Sequence, residues 1–317
     1  MFLTAILLIL SLGILYFGAD FLVKGSSSLA LRAGIPSLIV GLTVVSLGTS
    51  SPELVVSLKA ALSGQPEIAA GNVIGSNIFN IGVILGISSL IAPLCITRSL
   101  IRQDMPFLLF GAVLLPFFFM DGKITRVESG IFCAGAITYT LLLIRNARKA
   151  KKEDKDQTSK NETKSGPAKH WAIDVFFVVI GLAMLIGGSN LLVDNAVKIA
   201  RILGMSEAII GLTIVAAGTG TPELATSIVA TIKGNKDIAI GNVVGSNIYN
   251  ILLVLGVSSM IKPISTTGIS TVDTYILLGF SILLLPLMRT GYELKRWEGG
   301  LMLSLYIAYI LYLTGVI

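Results

Sequence analysis

The chain has a single histidine, two cysteines and two tryptophans in 317 residues, and only 13% of it is charged. His170 closes the most polar stretch of the sequence, so no imidazole lies inside an apolar segment. That excludes a Ser–His nucleophile at membrane depth and a histidine-centred zinc or copper site. Cys95 and Cys133 are far apart and belong to no metal or redox motif; they read as small apolar packing residues. No Cys or Lys stands beside a plausible nucleophile, and the chain is not expected to be an enzyme.

The rest is apolar. Hydrophobic residues make up 54% of the chain and the mean hydropathy is +0.86, which points to an integral membrane protein. Apolar runs of helix-spanning length recur from end to end. Residues 2–17 lack a basic leader and a cleavage site, and the run continues to Asp20 and Lys24, so it reads as a first transmembrane helix. The net charge of +6 and pI near 9.3 come with no basic face carrying aromatics. Membrane orientation explains the excess base, and nucleic acid is excluded as a partner.

The sequence is one unit written twice. At an offset of 170 positions, Gly48-Thr49-Ser50-Ser51-Pro52-Glu53 returns as Gly218-Thr219-Gly220-Thr221-Pro222-Glu223. Gly71-Asn72-Val73 pairs with Gly241-Asn242-Val243, and Gly75-Ser76-Asn77-Ile78 with Gly245-Ser246-Asn247-Ile248. Asn80 pairs with Asn250, Pro116 with Pro286, and Tyr139 with Tyr309. No gap is needed: residues 1–147 map onto 171–317, and only 148–170 has no counterpart. The expected fold is all-α, with about ten transmembrane helices as two five-helix repeats. The spans fall near 2–23, 38–62, 66–92, 105–120 and 127–145, then 172–193, 208–232, 238–261, 272–288 and 297–316. Five is odd, so the second repeat enters the bilayer inverted.

The 148–170 linker carries Arg148, Lys149, Lys151 and Lys152 and reads as a flexible cytoplasmic tether. Both termini then lie outside, in a multi-pass protein of the cell (inner) membrane. Lys123, Lys198, Arg201 and Lys262 fall on the outer side, so the bias in basic residues supports this orientation without deciding it.

A glutamate next to a proline inside a membrane helix is costly, and it is present twice. Pro52 removes an N–H and clashes with the carbonyl of Gly48, so the helix should unwind or kink between about 46 and 52. Freed carbonyls must then face protein or a wet cavity. Ser46, Thr49 or Ser50, Glu53 and Ser57 share one helical face, repeated by Thr213, Ala216, Thr219, Glu223 and Ser227. The third span supplies a facing stripe, Asn72, Ser76 and Asn80, with Asn242, Ser246 and Asn250 as partners. Asn72, Asn77, Asn242 and Asn247 fit ion contact and interhelical bonding equally; Asn80 and Asn250 fit the site better. Such an all-oxygen set selects hard cations, and two carboxylates balance one Ca²⁺. Ions that compete for the same two carboxylates cannot occupy them together, which is the physical basis of exchange.

The doubled Gly-Thr-x-x-Pro-Glu and Gly-Asn-x-x-Gly-Ser-Asn-x-x-Asn motifs resemble the cation/calcium exchanger superfamily, its sodium/calcium exchangers in particular. The resemblance covers the whole chain. It implies antiport of Na⁺ for Ca²⁺ by alternating access, with the first helices of the two halves sliding over a fixed core. No cofactor is implied; the two ions are substrates. It also implies a ligand set: Glu53 and Glu223 for both ions, with oxygens of Thr49 and Thr219. Ser76, Ser246 and the carbonyls of Ser46 and Ala216 would hold sodium, and Asn80 and Asn250 would complete the centre. Two departures stand out. Several relatives have Asp at the position of Asn250, so the case for potassium co-transport is weaker here. Gly220 replaces the hydroxyl that Ser50 supplies in the first half. The rival readings are a proton/calcium exchanger, whose members tend to have Asn where Thr49 and Thr219 stand, and a cation channel.

Overall fold

The computed structural model describes residues 2–64, 66–158, 171–202, 216–265 and 271–313. The first half opens with α1 (Phe2–Ala33) and a broken span, α2 (Ser37–Val40), α3 (Ser46–Thr49) and α4 (Ser51–Leu62), with a π turn at Gly41–Val45. Then come α5 (Pro66–Phe79), a π turn at Asn80–Leu85, α6 (Gly86–Ile91), α7 (Met105–Phe118) and α8 (Arg126–Thr158). The second half has α9 (Trp171–Ile202), α10 (Ala216–Thr219), α11 (Thr221–Ile232) and α12 (Lys236–Tyr249). A π turn at Asn250–Leu255, α13 (Gly256–Ile261), α14 (Thr271–Arg289) and α15 (Arg296–Leu313) complete it.

Seven helices among the described residues are long and apolar enough to cross a membrane, or eight if the bent pair Ser37–Thr49 and Ser51–Leu62 is one span. Of the ten expected spans, 208–232 lies partly outside the described residues, and Thr213 and His170 lie outside them. The last expected span, 297–316, falls on α15, which is not among the seven, and its end lies outside the described residues. Three helices run longer than expected. α1 reaches Ala33 and α9 reaches Ile202, because helix-forming Ala, Leu and Lys continue past the apolar core of each run. α8 continues to Thr158, so the start of the expected tether is helical. Its Arg, Lys, Glu, Ala and Gln content favours helix even in water.

Helix starts follow local chemistry. Pro52 and Pro222 stand in the first turns of α4 and α11, where a missing N–H costs nothing. Thr125 and Glu128 form a capping box at α8: the Thr125 N–H donates to Glu128 Oε2 at 2.7 Å, and Glu128 N–H to Thr125 Oγ1 at 3.4 Å. The offset reproduces part of it at α15, where Lys295 N–H donates to Glu298 Oε2 at 2.7 Å. The buried Glu298 is therefore a cap.

The core lies along the third spans. Within their apolar windows, 78% of Ile68–Ile91 and 94% of Lys236–Ile261 is buried, against 39% for α1 and 28% for α9. Two short strand pairs tie the halves crosswise. Leu94–Cys95 (β1) pairs with Glu293–Leu294 (β4), and Lys123–Ile124 (β2) with Ile264–Ser265 (β3). The offset turns one pair into the other, so the halves are related by an exchange.

α1 and α9 pack closely and antiparallel. A Cβ on Gly25 would meet Asp174 O at 2.7 Å, and one on Gly188 would meet Leu15 N at 3.3 Å. Small residues let the backbones touch. One end of α1 is also tied down: Asp20 pairs with Lys24 at 2.8 Å and with Lys233, and Ser27 donates to Asn235 at 3.1 Å. Arg32 reaches Asp174 of α9 at 2.5 Å.

Gly181 is the test of this seam. A Cβ there would meet Leu22 N at 2.6 Å and Gly18 O at 2.8 Å, both backbone atoms, whereas Gly187 has nothing within 4 Å. Gly181→Leu should destabilise the detergent-solubilised protein by about 1–3 kcal/mol, seen as a lower thermal midpoint, and Gly187→Leu should leave the midpoint in place.

Candidate functional site

The broken second span bends by 42° at Ser50, which takes φ −80° and ψ 5°. It kinks and does not unwind: Ser50 N–H still donates to Ser46 O at 2.9 Å, and Leu54 N–H to Ser50 O at 3.2 Å. The Ser46 carbonyl also accepts Thr49 Oγ1 at 3.4 Å, so it is already engaged twice. In the second half Pro222 frees the carbonyl of Gly218, and Ser189 of α9 donates to it at 2.5 Å. Gly220 takes the same conformation as Ser50, φ −80° and ψ 0°. Ala216 begins α10, with its side chain outside the described residues.

These kinks point one carboxyl from each half inward. Glu53 and Glu223 are both fully buried. They lie within electrostatic range of one another, with Thr219 beside Glu53 and Thr49, Ser50 and Ser246 beside Glu223. Ser50 Oγ donates to Glu223 Oε1 at 3.0 Å, across the halves. Both oxygens of Glu53, Oε2 of Glu223, the hydroxyls of Ser76 and Ser246, Oδ1 of Asn80 and both amide atoms of Asn250 are buried with no hydrogen-bond partner. Native interiors leave few such groups, and each asks for a ligand, water or ion. These belong to residues singled out from the sequence; the hydroxyls of Ser26, Ser88, Thr226 and Ser258 are also buried without a partner, at positions the sequence did not single out.

The stripe asparagines divide. Asn72 Nδ2 donates to Glu53 O at 3.3 Å and Ser57 Oγ at 3.0 Å, while its Oδ1 accepts Thr219 Oγ1 at 3.2 Å. Asn242 mirrors it, donating to Glu223 O at 3.4 Å and Ser227 Oγ at 3.0 Å and accepting Thr49 Oγ1 at 3.0 Å. Each amide thus ties the glutamate backbone of its own half to the threonine of the other. Of the two readings left open for Asn72 and Asn242, hydrogen bonding is the one seen. Asn77 Nδ2 bonds back to Val73 O at 2.7 Å, and Asn247 Oδ1 accepts Asn80 Nδ2 at 2.9 Å.

Close backbone approach makes this possible. Cβ atoms on Gly41 and Gly241 would lie 3.2 and 3.1 Å from each other's Cα, and one on Gly245 would meet Ser46 Oγ at 2.7 Å. Gly71 and Gly75 have no described atom in that range, and the segment that corresponds to the Gly41–Ser46 wall, 211–216, is largely undescribed. The π turns begin at Asn80 and Asn250, which re-aims both side chains within otherwise regular helices.

A family model described as "Sodium/calcium exchanger protein" matches residues 3–145 and again 173–315. The chain belongs to the sodium/calcium exchanger family. This exchanger is 37% identical over 313 residues to the putative antiporter CaxA of Alkalimonas amylolytica, covering 98% of each chain. It is 32% identical to the sodium/calcium exchanger MaX1 of Methanosarcina acetivorans, over 96% of this chain and 97% of that one. Among solved structures it resembles the sodium–calcium exchanger NCX_Mj soaked with Na⁺ and Sr²⁺, with a TM-score of 0.84, 31% identity and 98% of both chains covered. The exchanger is therefore a multi-pass membrane transporter of the cation/calcium antiport type, and not a catalyst of bond chemistry.

The crosswise clamp is open to measurement. Thr49→Val and Asn242→Ala should each lower stability, and the double variant should fall short of their sum by about 1 kcal/mol, read as a double-mutant cycle on unfolding in detergent.

Proposed function

We propose that the chain exchanges Na⁺ for Ca²⁺ across the bilayer, one set of ions at a time, at the pooled Glu53–Glu223 site. The observation that carries this reading is the pair of buried carboxyls, one from each half, surrounded by partnerless oxygens. Two carboxylates neutralise one Ca²⁺, and Glu53, Glu223, Thr49 and Thr219 are its ligands in this proposal. Several Na⁺ compensate the same charge when spread over Ser76, Ser246, Asn80, Asn250 and the carbonyls of Ser46 and Ala216, with Ser50 setting the Glu223 carboxyl. An uncompensated carboxylate at membrane depth costs about 2.5–3.5 kcal/mol or more, so the site releases one ion only as another takes over. This is antiport by charge compensation.

The antiparallel α1–α9 pair supports inverted halves, since these helices correspond under the offset. In this reading ten spans form two inverted repeats, 1–147 and 171–317, joined by a cytoplasmic linker over 148–170, with both termini outside. The α1–α9 pair crosses both broken spans, resting on α11 through Asp20 and Lys233 and covering Gly48 with Leu182. Sliding that pair would expose the carboxyls to one side and then the other.

Proteoliposomes test it. An outward sodium gradient should drive uptake of isotopic calcium, and collapsing a pH gradient should leave that uptake unchanged. Uptake that follows the pH gradient instead would assign protons as the coupling ion; absence of trans-stimulation would indicate a channel. Glu53→Gln and Glu223→Gln should each cut calcium uptake by roughly a hundredfold or more while the protein still inserts, since each leaves the divalent ion undercompensated. Substantial uptake by either variant refutes the shared site.

A further inference from the structure

α1 carries Asp20, Val23, Lys24 and Ser27 on one face, at helical spacings of three and four. That face meets the turn between α11 and α12. Asp20 pairs with Lys233, which caps the end of α11, and Ser27 Oγ donates to Asn235 Oδ1 at 3.1 Å. Val23 is fully buried, in one apolar cluster with Val229 and Ala230 of α11. The turn is held by its own backbone. Lys233 N–H donates to Val229 O at 3.0 Å and Asn235 N–H to Ala230 O at 2.8 Å, around Gly234 at φ 79°. α11 begins at the carboxyl site, with Glu223 in its first turn, and ends at Lys233 about 15 Å further on. Arg32, at the end of α1, pairs with Asp174 in the first turn of α9, the helix that follows the linker. The set therefore lies on the linker side of the bundle.

The two cations on Asp20 differ in kind. Its side chain is only 10% exposed, and Lys24, on the same helix, pairs with it at 2.8 Å. Lys24 rides on α1, whereas Lys233 belongs to the turn. A shift of α1 would break one pair and keep the other, so the acid would not be left uncompensated. The opposite side has no such arrangement. The turn itself recurs there, with Gly64 at φ 78°. At the offset of 170, however, Asp20 becomes Asn190, Lys233 becomes Ser63, Ser27 becomes Val197 and Asn235 becomes Gln65. The duplication repeats the turn and omits both charges and the hydroxyl.

We propose that Asp20 and Lys233 form a one-sided latch, which holds the linker side of the path to the carboxyls closed and biases the resting protein toward opening on the other side. The inference rests on the proposed sliding of the α1–α9 pair. Such a latch weakens capture of ions arriving from the linker side, because only the fraction of molecules open to them can bind.

Labelling of the seam gives the test. Val23→Cys, in the full chain with Cys95→Ser and Cys133→Ala, places one thiol there for a water-soluble maleimide, with the protein in nanodiscs free of Na⁺ and Ca²⁺. Adding Lys233→Gln should speed the labelling about fivefold, as loss of one partly buried ion pair allows. Lys24→Gln should give no acceleration, since Asp20 then depends on Lys233 alone. Lys233→Arg keeps the pair and should label at the parent rate, which separates lost charge from a damaged turn. An unchanged rate in Lys233→Gln, or an equal acceleration in Lys24→Gln or Lys233→Arg, overturns the proposal. The labelling rate does not depend on which ion is carried. A protein that labels as expected but does not couple calcium to sodium would refute the exchange and not the latch.

Discussion

Two buried carboxyl groups held within each other's field are the constraint on which the rest of the structure depends. Glu53 and Glu223 come from opposite halves of the chain, and among the described residues neither has an ion-pair partner in its own half. Like charges in a low-dielectric interior repel strongly, so the fold must force them together with interactions that do not neutralise them. The crosswise amides do this. Asn72 and Asn242 grip the glutamate backbones and the opposite threonine hydroxyls, leaving the carboxylate oxygens largely unused. Stability comes from the frame, and the electrostatic deficit of the carboxyls is left uncompensated by protein groups.

The frame exists because the backbones approach so closely. Gly41, Gly241 and Gly245 bring α2, α3 and α12 together, and the buried third spans on either side fix their separation. Any larger residue there would push Ser46 and Thr49 away from the opposing asparagine. The seam between α1 and α9 is glycine-lined as well, and the pair meets the broken spans through Leu182 over Gly48, Ser189 on Gly218 and Asp20 with Lys233. Under the proposed sliding mechanism, the glycine-tight core would keep the candidate ligands in place while the α1–α9 pair above them moves.

Much of this was legible in the residues. The offset of 170 identified both carboxyls, both prolines and the facing stripe, and Pro52 placed the kink within two residues of Ser50. What was not legible depended on three-dimensional partners. Asn72 and Asn242 carry the same residue type and spacing as ligand positions, and only the position of the opposite threonine shows that their amides are engaged. The π turns at Asn80 and Asn250 leave no compositional trace, since Ile, Gly, Val and Leu fit regular helix equally well. The helical extension of α8 into charged sequence was missed because polarity was read as disorder, although Lys, Glu and Ala are strong helix formers.

The two halves of the site are not equal, and the reason is packing. Ser50 donates to Glu223, but the second half has Gly220 at that position, where a Cβ would lie 3.0 Å from the ring of Phe79. The counterpart of Phe79 is Tyr249, whose hydroxyl is occupied with Thr140 at 3.2 Å. The phenyl ring thus takes the space that a second serine would need, and Glu53 is left with both oxygens unpartnered while Glu223 keeps one bond. An exchange of the halves therefore does not return the same electrostatics. Under the proposed exchange, the carboxyl that lacks a serine donor has the greater need of a cation, and a glycine and a ring rather than any added charge would bias the order in which ions enter and leave.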